Sequence, residues 1–182
     1  MTKDDEFANQ IRAAVKNELD LTGWSFKSIE LSQNEISPCK GCLACWTRTP
    51  GICIIDDYGR EVAKQVINSD LVIFVSRVTF GGYSSELKKA LERITPLSLP
   101  FFTKIVGETH HAKRYETYPS LLVFGALKQP DPEKESTFKT LVKRNALNLH
   151  SPVHRVEIVY SIHAPGEISQ TIRQSLKKMG AN

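Results

Sequence analysis

An α/β fold, with a parallel sheet covered by helices on both faces, is what this sequence predicts. Two observations carry that expectation. "DLVIFVS" (Asp70–Ser76) and "SLLVFGAL" (Ser120–Leu127) are continuous apolar runs, the pattern of strands buried on both faces. Strand-like and helix-like segments also alternate along the whole chain. That order implies a parallel sheet of about four strands, with ligands at the strands' carboxyl ends.

The elements follow in order. Phe7, Ile11 and Val15 recur every four residues, so Asp4–Leu19 is expected to be a helix. "SFKSIEL" (Ser25–Leu31) is read as a strand. A helix over Tyr58–Asn68 is preceded by Asp56 and Asp57, which suit its N-cap and its dipole. The Asp70–Ser76 strand comes next, then a Gly-bearing loop and a short helix through Leu87, Leu91 and Ile94. Thr95–Pro119 shows no clear period, and a loop of that length is usually functional or an interface element. After the Ser120–Leu127 strand, a helix spans Pro132–Leu149 with Phe138, Leu141 and Val142 inward. "HRVEIVYS" (His154–Ser161) is another strand. The last helix starts at Pro165, since proline suits a first helical turn.

The chain has 182 residues, 41% hydrophobic and 24% charged, with a formal net charge of +4. That length predicts a single domain, 1–182, with a full core. The basic residues form no run that would suggest a nucleic-acid arm. The start "MTKDDEFANQ" is acidic and polar, unlike a signal peptide. No apolar run approaches the length of a membrane span. The expectation is a cytoplasmic protein, where clustered cysteines point to metal or redox chemistry.

All four cysteines, Cys39, Cys42, Cys45 and Cys53, lie in "PCKGCLACWTRTPGICIIDD" (Pro38–Asp57). Pro38, Gly41, Pro50 and Gly51 supply turn chemistry for a fold-back. Three readings stay open from this spacing. A [4Fe–4S] cluster takes four thiolates, and compact runs offer three of them. Zinc also takes four, usually from two separated knuckles. The third reading is a set of free or transiently oxidised thiols.

"SRVTFGGYSSELKKALERI" (Ser76–Ile94) follows a buried strand and opens a helix. Its two glycines let backbone approach a flat ligand, and the helix N-terminus offers free N–H groups. Together with "CKGCLACWTRTPGICIIDD", it resembles the NAD(P)H-dependent FMN reductases of flavodoxin-like fold. More narrowly, the two stretches resemble the iron–sulfur flavoprotein branch of that family. The resemblance implies a three-layer α/β/α domain, FMN as cofactor and NAD(P)H as electron donor. It implies Cys39, Cys42, Cys45 and Cys53 as ligands of a [4Fe–4S] cluster. It further implies Ser76, Val78, Thr79, Phe80, Gly81 and Gly82 along the flavin ring, with Gly125 and Ala126 at its other edge. No catalytic acid or base is implied, because hydride transfer from nicotinamide to flavin needs none.

The chain departs from the family at two places. Arg77 and Thr79 replace the family's usual Pro and Tyr. The sequence opens at the helix that follows the family's first strand and phosphate loop, and no glycine precedes Gly23. The expected sheet therefore lacks that strand, whether the recorded start lies downstream of the true one or the pattern was lost. FMN is expected to bind weakly, because Asp4, Asp5 and Glu6 sit where the phosphate would lie and only Thr2 offers a hydroxyl nearby.

The expected function is flavin-dependent electron transfer, with reduced nicotinamide or ferredoxin as donor. The alternative is a cofactor-poor binding or assembly subunit. A homo-oligomer is expected through Pro100, Phe101, Phe102, Ile105 and Val106, apolar residues of the long central segment. His110 and His111 are expected at the surface. Lys88, Lys89 and Arg93 are expected to form a solvated helix face, and Asp56 and Asp57 to cap rather than catalyse.

Overall fold

The computed structural model describes residues 3–180, with side chains from residue 6 onward. Three helices, α1 (Lys3–Thr22), α2 (Ala44–Thr47) and α3 (Tyr58–Ile67), precede the first strand, β1 (Leu71–Arg77). Helix α4 (Ser85–Arg93) leads into a hairpin of β2 (Ser98–Ile105) and β3 (Glu108–Lys113). The chain ends with β4 (Ser120–Leu127), α5 (Pro132–Asn148), β5 (His154–Tyr160) and α6 (Pro165–Lys178). The central sheet is parallel, in the order β1-β4-β5. Its register runs from Leu71 beside Ser120 to Arg77 beside Ala126, and from Leu121 beside His154 to Leu127 beside Tyr160.

β4 lies between two strands, so it reads as an unbroken apolar run. Its alternate side chains enter two cores. Leu122, Phe124 and Ala126 meet Ile11 and Val15 of α1 and Ile168, Ile172 and Leu176 of α6. Leu121 and Val123 meet Phe138, Val142 and Ala146 of α5 and Leu87 of α4. A third cluster joins Val62, Ala63 and Val66 of α3 to Ala90, Leu97 and Tyr118. Each of the Val, Leu, Ile and Phe side chains contributes roughly 1.5–3 kcal/mol on full burial. The result is the expected three layers.

Four expectations change. Ser25–Leu31 forms no strand; among the described residues β1 pairs with β4 alone. A strand is a relation to a neighbour, and this segment pairs with no strand of the described residues. The sheet accordingly has three parallel strands rather than about four. β1 is not buried on both faces: Leu71 to Val75 are only half-buried, because the strand lies at the sheet's edge. Thr95–Pro119 is not a loop, since most of it is the antiparallel β2–β3 hairpin, turned at Val106 and Gly107 with φ of 50° and 79°.

No helix of the described residues is long and apolar enough to cross a membrane.

Candidate functional site

The thiol loop is shaped by three left-handed residues. Gly41 (φ 63°) and Leu43 (φ 56°) bend the chain between Cys39 and Cys45, and Gly51 (φ 87°) turns it back toward Cys53. A bulky residue such as Leu43 rarely adopts that conformation. The Gly51 N–H donates to the Cys45 carbonyl at 3.0 Å, closing the return. The Gly41 N–H donates to the Cys39 Sγ at 3.4 Å. Cys39 and Cys42 are exposed, while Cys45 and Cys53 are half-buried. Burial pushes the Cys45 thiol up, and the neighbouring Cys53, Cys39 and Cys42 add to the effect. Cys45 is thus the thiol that feels the other three. Among the described residues, however, no three His, Cys, Asp or Glu are arranged as a metal-binding group. The donor set fits an iron–sulfur cluster in kind and number, and binding would have to draw the sulfurs together.

Cations surround the returning half of this loop. Arg60 donates from Nε to the Cys53 carbonyl (2.8 Å) and pairs with Asp56 through Nη1 (2.8 Å). The Arg114 side chain packs against Gly51, 3.6 Å from where a Cβ would stand. Arg93, expected on a solvated face, is instead 1% exposed. Its Nη1 donates to the Ser37 carbonyl (2.9 Å) and to Asp57 Oδ2 (2.8 Å), and its Nη2 to the Ile55 carbonyl (3.0 Å). Asp57 also accepts the Ser37 and Gly59 N–H groups at 2.8 and 2.9 Å, the second of which caps α3. Burial alone would raise the Asp57 pKa. The hydrogen bonds from Arg93, Ser37 and Gly59 outweigh it and hold the carboxyl at about 2.

The hairpin is fastened to the same region. Trp46 of α2 packs on the His111 ring at a centroid distance of 4.5 Å, and Phe102 stacks on that ring at 5.0 Å. His110 is 9% exposed rather than at the surface. Its Nδ1–H donates to Asn148 Oδ1 at 2.9 Å, because β3 packs against α5.

The second candidate region lies at the carboxyl end of β1. Thr79 and Gly82 exchange backbone hydrogen bonds of 2.9 and 2.8 Å, closing a tight turn over Phe80 (φ 50°) and Gly81 (φ 78°). Two successive positive φ angles make this a type I′ turn. Phe80 sits at its tip, 94% exposed in a left-handed conformation; strain of that kind concentrates at ligand sites. A Cβ on Gly81 would stand 2.8 Å from Thr137, so the turn rests directly on α5. Ser76 is buried, accepts the Ser84 N–H at 2.9 Å and donates to the Arg77 carbonyl at 2.8 Å. The Val78 N–H donates to the Ala126 carbonyl at 3.0 Å. Gly125 faces inward: a Cβ there would stand 2.8 Å from both Ile158 and Phe138. Thr2 and the side chains of Asp4 and Asp5 lie outside the described residues.

The structure therefore brings the cysteines together on one loop and Ser76–Gly82 on one turn. Helix α4 runs between them, roughly 13 Å long for its nine residues. Asp57 caps α3 as expected, but its bond to Arg93, and the parts played by Arg93, Gly59 and Trp46, escaped the reading of the sequence. Arg93 had a signal: it continues the i, i+3 row of Leu87 and Ala90, both buried.

The fold is of the flavodoxin-like three-layer α/β class. The chain belongs to the NADPH-dependent FMN reductase family, whose profile matches residues 3–112. Within it the similarity lies with iron–sulfur flavoproteins. One from Methanocaldococcus jannaschii is 35% identical over 91 residues, 50% of this chain and 46% of that one. Another, from Methanosarcina thermophila, is 32% identical over 71 residues, 39% of this chain and 36% of that one. These matches span less than half of each relative's length. Among solved structures, an NAD(P)H:quinone oxidoreductase from Methanothermobacter marburgensis superposes with a TM-score of 0.69 at 10% identity, over 97% of this chain and 90% of that one. An azoreductase from Bacillus anthracis gives 0.60 at 9% identity, over 98% and 89%. At such identities these two show the fold alone.

Proposed function

We propose that this protein is an electron-transfer oxidoreductase that binds FMN at the Ser76–Gly82 turn and a [4Fe–4S] cluster at Cys39, Cys42, Cys45 and Cys53. The observation that carries the reading is the thiol loop itself: four free thiols on one fold-back closed by the Gly51 N–H to Cys45 carbonyl bond, backed by Arg60 and Arg93. Cations of that kind favour a multiply charged thiolate centre.

Flavin bound at this turn would supply the redox chemistry that links two-electron nicotinamide donors to one-electron carriers. The chain's own part is positioning. The Thr79–Gly82 turn, pinned on Thr137, offers the exposed Phe80 face to a flat ring. The Ser76 hydroxyl fixes the entry to α4 by holding the Ser84 N–H. Helix α4 begins three residues after the turn, and its N-terminus favours negative charge nearby.

The hairpin's Phe101, Phe102 and Val106 are 68%, 72% and 88% exposed. We assign this surface to association with a second copy of the chain.

The test is anaerobic purification. The protein should contain iron, sulfide and flavin, and should oxidise NAD(P)H with an added one-electron acceptor. Cys42→Ser should lose iron and sulfide together. Colourless anaerobic protein without iron would sink the cluster assignment.

A further inference from the structure

We propose that Arg93 is the positioning residue of the thiol site: one buried guanidinium holds both ends of the cysteine loop and seats a fixed positive charge beside Cys53. This inference rests on the cluster reading for its consequence but not for its geometry.

The geometry is specific. The loop that carries the four thiols leaves the body of the protein after Ser37 and rejoins it at Ile55. The carbonyls of these two residues are bonded to Nη1 and Nη2 of the same side chain, at 2.9 and 3.0 Å. A planar fork can hold two such acceptors at a fixed separation, which a lysine ammonium cannot do in the same geometry. Asp57 completes the clasp. It binds Nη1 and also the Ser37 N–H, so both polar groups of Ser37 are held.

The clasp has no slack. Arg93 and Asp57 have side-chain exposures of 0% and 9%. The nearest part of α3 is a glycine: a Cβ on Gly59 would stand 2.9 Å from the guanidinium carbon and 3.1 Å from Nη1. Any larger residue there must push the fork off its carbonyls. Gly59 has ordinary helical backbone, so its lack of a side chain answers to Arg93 and Asp57 and not to a turn. The guanidinium also interacts electrostatically with Cys53, the fourth thiol, which returns after the three clustered ones. Its Nε has no hydrogen-bond partner among the described residues, though it is buried. A charge so placed favours added negative charge on whatever Cys53 ligates. It also holds Cys53 at a set distance from the body of the protein while Cys39 and Cys42 remain exposed.

Two variants test this without touching a thiol. Arg93→Lys keeps the charge and the Asp57 partner but loses the fork. Gly59→Ala keeps Arg93 and displaces its guanidinium. In metal-free reduced protein, iodoacetamide labelling at a pH high enough to ionise every thiol, so that only access differs, followed by mass spectrometry should show Cys53 reacting several-fold faster in both variants, with Cys39 unchanged. In reconstituted protein, iron should be lost to a chelator about tenfold faster, the usual scale for lost outer partners of a metal ligand. The cluster's midpoint potential in Gly59→Ala should fall, because a positive charge has moved; a purely structural role would leave it alone. If Arg93→Lys fails to fold, Gly59→Ala carries the comparison. Cys53 labelling and iron release that match the unmodified protein in Gly59→Ala would overturn the proposal. Unmodified protein that holds no iron would sink the cluster reading only, and the labelling comparison would still decide the role of Arg93.

Discussion

Trp46 and Ser98 are joined by a single hydrogen bond: the indole Nε1–H donates to the Ser98 carbonyl at 2.9 Å. It crosses from the helix inside the cysteine loop to the first residue of β2. Arg114 supports the same corner from Nε to the Pro96 carbonyl at 2.8 Å. Trp46→Phe keeps an aromatic ring on His111 and removes this bond. The variant should lose about 1 kcal/mol in urea unfolding. Hydrogen exchange should quicken at the start of β2 and leave β4 unchanged. Equal quickening in both strands would show that the bond is not local in effect.

Acid should weaken the protein through Asp57. Its carboxyl is held at about 2, below its ordinary 3.8. A lowered folded-state pKa contributes stability that is full above the unfolded value and lost as pH falls through the folded one. The contribution is about 2 kcal/mol and should fade between pH 4 and pH 2. Urea midpoints across that window should drop steeply for the unmodified protein. Asp57→Asn should start less stable and show a shallower fall.

Phe80 sets stability against binding. Its ring is exposed and its backbone is left-handed, so Phe80→Gly removes a strained conformation and little packing. Stability should hold or rise by up to about 1 kcal/mol. Riboflavin affinity, read by fluorescence quenching, should fall. A loss of stability with unchanged affinity would mean that the ring packs on protein and not on flavin.

Riboflavin and FMN should bind this chain with similar affinity. The proposed contact at the Thr79–Gly82 turn is with the ring, which the two flavins share. Parallel titrations of the two flavins measure the ratio directly. FMN binding a hundredfold tighter would reveal a phosphate cradle elsewhere in the protein.

Where a residue's environment is local, the sequence showed it. Ser120–Leu127 reads as a central strand because it is one, flanked on both edges. Asp57 reads as a cap because capping involves only the next turn. Arg93 could not be read so. Lys88, Lys89 and Arg93 look alike as charges on a short helix, and only Lys88 and Lys89 find local partners, in Glu92 and Glu86. The partner of Arg93 is Asp57, far back in the chain. The hairpin hid for another reason. Its outer residues are polar or aromatic without alternation, and Val106 occupies a turn position that usually calls for Asn or Gly. Ser25–Leu31 failed in the opposite sense. Its composition suits a strand, but strand formation depends on a neighbour that composition does not report. Of the candidate site, the cysteines and the turn were legible as residue lists; the clasp that joins the loop's ends was not.

The order β1-β4-β5 has a consequence for how the chain is made. During synthesis β1 emerges before α4 and the hairpin, and its pairing strand emerges after them. The hairpin can close on its own in about 1–10 μs, so it is ready early. Leu71 to Val75 have no such option. Until Ser120–Leu127 leaves the ribosome, they lack the strand they pair with among the described residues, and an unpaired apolar strand is the kind of segment that chaperones hold and that neighbouring nascent chains join. A translation pause just before Ser120 would lengthen that interval, and a pause just after Leu127 would end it.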